Sequence, residues 1–80
     1  MTARYLLRTD NVRALLDAGH WSHHRAARHL GISPAYFSQL LNRHRALTAD
    51  MRHLLLTSRL FEGVNEDVLW ERVEDGGGAP

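Results

Sequence analysis

Eighty residues allow one domain with a small core, which buries about 60% of the surface its unfolded chain exposes. A hydrophobic share of 44% is too high for a disordered chain, and the lack of cysteine excludes disulfide staples and thiolate metal sites. The net charge of +1 conceals a split: residues 1–59 set nine arginines against Asp10, Asp17 and Asp50, a net of +6, while residues 60–80 set Arg72 against six carboxylates, a net of −5. A basic body with an acidic end points to a polyanionic partner on one side only.

Residues 1–8 carry Arg4 and Arg8, which suit a basic arm, and Tyr5, Leu6 and Leu7, which favour packing on the body. Thr9 or Asp10 caps a first helix running to about Ala18, with Val12, Leu15 and Leu16 as its buried stripe and Gly19 as its end. Trp21 precedes the next cap and is expected to staple the chain onto the core. Ser22 caps a second helix whose Ala26, Ala27 and Leu30 share a face, and Gly31 ends it. Ser33 caps a third helix, from Pro34 to about Asn42, with proline at the first position, where no N–H is needed. Phe37, Leu40 and Leu41 form its inward face; Ala35, Ser38, Gln39 and Asn42 point outward, and Arg43, His44 and Arg45 follow as a basic loop.

Thr48 caps a fourth helix with Met51, Leu54, Leu55, Ser58 and Phe61 as a core stripe, Leu56 and Leu60 as a second apolar stripe, and Gly63 as its end. Asn65 caps a fifth, acidic helix that carries Val68, Leu69, Trp70 and Val73, and residues 62–74 form this terminal element. Residues 75–80 read as a flexible tail. No stretch is long and apolar enough to span a membrane.

The run from Ser22 to Arg45, SHHRAARHLGISPAYFSQLLNRHR, thus reads as two short helices joined by a tight turn. Through Ala27, Leu30, Gly31, Ile32, Ser33, Phe37 and Leu40 it resembles the helix-turn-helix of the Cro/phage-repressor family, of lambda-repressor-like or XRE type. The likeness extends more loosely over residues 11–61. His23 stands where that family usually carries glutamine, and Arg43 where glycine commonly follows the second helix. The resemblance implies that Ser33, Pro34, Ala35, Ser38 and Gln39 face DNA bases and that Asn42 touches phosphate.

Chemistry points the same way for several of these residues. The Gln39 amide suits bidentate bonds to adenine N6 and N7, Ser33 and Ser38 suit a base edge or a phosphate, and Pro34 and Ala35 suit a thymine methyl. Phosphate contacts are expected from Ser22, His23, His24 and Arg25, from Tyr36, and from Asn42, Arg43, His44 and Arg45. His23, His24 and Arg25 place positive charge at the positive end of a helix dipole, which is unfavourable alone and favourable beside an anion.

The expected fold is all-α, a compact bundle of five short helices with a helix-turn-helix over residues 1–74. The expected function is that of a sequence-specific regulator of transcription, a homodimer on double-stranded DNA, cytoplasmic and nucleoid-associated. One recognition helix reads too few base pairs to find a genomic site, and two half-sites solve this. Leu56, Leu60, Leu69 and Trp70 are the expected dimer or partner surface. The alternative is a protein-interaction module that works through the acidic terminal helix. No catalytic arrangement and no cofactor motif is visible. His20, His23, His24 and His29 cluster in sequence, but the turn at Gly19–Ser22 breaks the spacing that paired metal ligands on one helix need.

Overall fold

A computed structural model describes residues 2–75. Five α-helices pack around one core, and the two ends of the chain pair as a small antiparallel sheet. Strand β1 (Thr2–Leu7) leads into α1 (Thr9–Ala18), α2 (His23–Leu30), α3 (Pro34–Leu41) and α4 (Ala49–Thr57). A 3₁₀ turn (Arg59–Phe61), the single-turn helix α5 (Glu66–Leu69) and strand β2 (Trp70–Asp75) complete the order.

The sheet corrects the all-α expectation. Thr2 pairs with Asp75, Tyr5 with Arg72 and Leu7 with Trp70 along an antiparallel register. The expected acidic helix over residues 62–74 shrinks to one turn, because Trp70 adopts an extended backbone (φ −149°, ψ 166°). A short terminal helix has little stability of its own, whereas pairing with β1 satisfies the backbone groups of both ends at once. Asp75, expected in the tail, belongs to β2, and residues 76–80 of that expected tail lie outside the described residues.

The core draws on every element. Leu7 and Trp70 enter it from the sheet, Val12 and Leu16 from α1, Ala26, Ala27 and Leu30 from α2, and Phe37, Leu40 and Leu41 from α3. Leu47, Met51, Leu55, Phe61 and Leu69 close it. Each fully buried Leu or Phe stabilises the fold by roughly 1.5–3 kcal/mol. Leu69 is wholly buried and Trp70 nearly so. Both were expected on the dimer or partner surface and instead lie in the core, because the turn from α5 into β2 swings them inward. Leu60 is half-buried against the core, and Leu56 remains exposed at 41%.

The helix ends follow local chemistry. Gly31 takes a left-handed conformation (φ 77°), and Ile32 N–H donates to the Ala27 carbonyl at 3.0 Å while Gly31 N–H donates to Arg28 at 3.1 Å. This is the double bond pattern of a Schellman ending. Helix α1 ends the same way, but His20 rather than Gly19 takes the left-handed position (φ 59°), with Trp21 N–H donating to Leu16 at 2.8 Å. Gly19 keeps φ −91°. Its missing side chain serves another purpose, since a Cβ there would lie 2.7 Å from Cδ1 of Trp21.

The expected cap of α1 is also corrected. Arg8 occupies the cap position without a side-chain capping bond to the helix, and the Thr9 hydroxyl donates instead to the Leu41 carbonyl at 2.6 Å. That bond ties the start of α1 to the end of α3. On the other side of β1, Leu47 N–H donates to the Tyr5 carbonyl at 2.7 Å and fixes the loop that follows α3. Thr48 caps α4 by accepting from Met51 N–H at 3.1 Å. That helix stops at Thr57, and Gly63 comes after the 3₁₀ turn rather than at its end.

Candidate nucleic-acid interface

Helix α3 is short because its boundaries are specified locally. The Ser33 hydroxyl accepts from Tyr36 N–H at 3.0 Å, and Pro34 occupies the first turn. At the other end Arg43 takes the left-handed position (φ 62°), with His44 N–H donating to Gln39 at 2.9 Å and Arg43 N–H to Leu40 at 3.1 Å. Phe37, Leu40 and Leu41 are buried, which rotates Pro34, Ala35, Ser38, Gln39 and Asn42 to the outside, all exposed. Ser33 is exposed too, but its oxygen already serves as a cap, so it meets a ligand only as a donor or through a second lone pair. Asn42 Nδ2 reaches Ser38 Oγ at 3.5 Å, the outer limit of a hydrogen bond. The exposed Gln39 amide makes no side-chain bond to any of the described residues.

The start of α2 lies beside α3. Ser22 Oγ accepts from Arg25 N–H at 3.1 Å. The His23 ring meets the Phe37 ring edge-on at 6.2 Å, so this histidine bridges the two helices. His24 is exposed, and no acidic residue stands in the first turn of α2. The Arg25 guanidinium lies 5.0 Å from the centre of the Trp21 ring, close enough for a cation–π contact. His44 is exposed, and Arg45 folds back toward half-buried Tyr36, with 5.9 Å from its guanidinium to the ring centre.

No protein-family model, curated protein or solved structure matches this chain. What it does is therefore read from its own surface.

Arg43 stands apart from the other expected phosphate ligands. Its guanidinium pairs with Glu71 on β2 at 2.6 Å, and both side chains are about one-third exposed (39% and 32%). A non-glycine residue in the left-handed region carries about 1–3 kcal/mol of strain. The pair turns this side chain toward the terminal sheet, where Arg8, Thr9, Asp10 and Asn11 line the same open cleft of about 360 Å³. Arg8 Nε there donates to the Asp67 carbonyl at 2.8 Å, and Asn11 Nδ2 to the Val68 carbonyl at 3.0 Å.

Sequence reasoning missed two features, one of which it could have found. Glu71 as the partner of Arg43 depends on the pairing of β2 with β1, which no local pattern announces. Arg28 and His29, which share the Trp21 side of α2, were open to detection: Trp21, Arg25 and His29 recur every four residues. Among the described residues no three histidine or carboxylate side chains converge as a metal site, and no polar side chain is buried. No helix among them is long and apolar enough to cross a membrane.

Proposed function

We propose that this chain is a sequence-specific double-stranded DNA-binding regulator of transcription, of the Cro/phage-repressor helix-turn-helix type, that inserts α3 into the major groove. The observation that carries the reading is the outward face of α3, where an unengaged glutamine amide is flanked by short side chains. A helix with its side chains is about 10–12 Å across and the groove about 12 Å wide, so a face of Ala, Ser and Gln admits close approach. Gln39 reads a base edge; Pro34 and Ala35 pack on the floor of the groove; Ser38 bonds a base edge or a phosphate. Asn42, His44, Arg45 and the start of α2, with Ser22, His23, His24 and Arg25, meet phosphates on either side and set the register.

The protein acts as a homodimer across two half-sites about one helical turn apart. Leu56 remains a candidate for the subunit contact, with half-buried Leu60 four residues away on the chain. The test is selection of bound sequences from a random duplex pool, followed by titration at several salt concentrations. A palindromic consensus and a log–log salt slope of about −0.9 per neutralised phosphate are expected. No binding to any duplex at about 50 mM salt would reject the reading and favour a protein-interaction module instead.

A further inference from the structure

The outer face of α2 carries a second cluster, of which the reading of α3 uses only Arg25. Trp21 stands before the helix, and Arg25 and His29 follow it at four-residue intervals. The Arg25 guanidinium lies 5.0 Å from the indole centre, and the His29 ring lies 5.2 Å from it at 58°. Gly19 permits this placement, because a Cβ there would overlap the edge of the indole ring. Arg28 joins these three to line an open cleft of about 420 Å³, and among the described residues no carboxylate lines it.

The charged and titratable groups of this lining are chiefly donors: two guanidinium forks and an imidazole. Such a set matches an acceptor-rich anion, and the guanidinium fork matches phosphate oxygens in pairs. The helix dipole gives part of the explanation for the charges. Arg28 and His29 lie in the last turn of α2, where cations are favoured. Arg25 lies in the first turn, where the dipole opposes it, and it nevertheless stacks on the same indole.

We propose that the Trp21–Arg25–Arg28–His29 cleft is a phosphate-binding site. Its source of phosphate is the DNA backbone flanking the groove that α3 enters, a clause that rests on the DNA reading of α3. The chemistry of the cleft does not depend on that reading, so a free phosphate would occupy it by the same donors.

The test uses the full chain and Trp21 emission as reporter, with Trp21→Phe assigning the signal against buried Trp70. Random duplex and inorganic phosphate are titrated separately into the wild type, Arg25→Gln and Arg28→Gln, with each variant's fold checked by its melting curve. Duplex is expected to change the emission. Arg28→Gln is expected to weaken all duplexes about tenfold and to flatten the salt slope by about one. If the wild type binds duplex while both variants keep its affinity, slope and emission change, the site is wrong and the reading of α3 stands. If duplex does not bind but inorganic phosphate shifts the emission, and Arg28→Gln loses that shift, the site stands and the reading of α3 falls. Silence toward both anions overturns the site.

Discussion

The α2–α3 pair and the terminal sheet are held by opposite means. The helix pair is specified by neighbours: the Ser22 and Ser33 hydroxyls each accept from an N–H three residues on, and Gly31 closes α2 with bonds that span five residues or fewer. The sheet is specified by partners from the far end of the chain, with Leu7 opposite Trp70 and Arg8 N–H donating to the Leu69 carbonyl at 2.8 Å. One region can therefore present a polar face with little help. The other acts as a clamp that closes the core and takes hold of α3 from behind, through Thr9 on Leu41 and Glu71 on Arg43. The first presents the polar outer face of α3, and the second joins the two ends of the chain over the core.

The sharpest way to break that contrast is to cut the clamp. Trp70→Ala removes a nearly buried indole whose strand partner, Leu7, is fully buried. It is expected to cost about 3–5 kcal/mol in denaturant unfolding, a large share of the stability of a domain this size. A cost below about 1 kcal/mol would show that the sheet is an ornament on a self-sufficient helical core.

The contrast sharpens when the presenting face is cut instead. Gln39→Ala is expected to leave unfolding within about 0.5 kcal/mol of the parent, because the side chain is exposed and has no hydrogen-bond partner among the described residues. On a selected operator it is expected to cost about 1–3 kcal/mol and to relax preference at one base step, measured across single-base variants of the site. Uniform weakening on all variants would make Gln39 a positioning residue rather than a reader. Ser33→Ala sits between the two, costing about 1 kcal/mol of stability through the lost cap. A cost of zero in the unfolding curve would mean that α3 does not need its own start signal.

The same division explains what could be read from the chain before folding. Ser22, Gly31, Ser33, Pro34 and Thr48 mark helix boundaries because a cap or a left-handed turn is decided within about four residues. Val68, Leu69, Trp70 and Val73 misled because an apolar set three and four residues apart also fits a helix, and no glycine or proline interrupts the chain between Asn65 and Gly76. What decides for β2 is a complementary strand more than sixty residues away, and periodicity carries no signal at that range. The outward face of α3 was legible for the same reason that its caps were. The engagement of Arg43 was not, since Glu71 reaches it only after the sheet forms.

Arg43 is where the two regions meet, and it gives the smallest and most informative effects. It holds a position that glycine fills without strain, so Arg43→Gly is expected to be more stable than Arg43→Ala by about 1 kcal/mol, although both lose the same ion pair. The pair itself is partly exposed, so Glu71→Gln is expected to change unfolding by less than about 1 kcal/mol. On the proposed DNA-binding reading, its effect is expected in duplex affinity instead. With Glu71 neutral, the guanidinium is released toward phosphate, and binding should tighten by a similar factor on every sequence, with a salt slope steeper by up to about one. An unchanged slope would mean that Arg43 serves the clamp alone and that the phosphate contacts lie with Arg45, His44 and the start of α2.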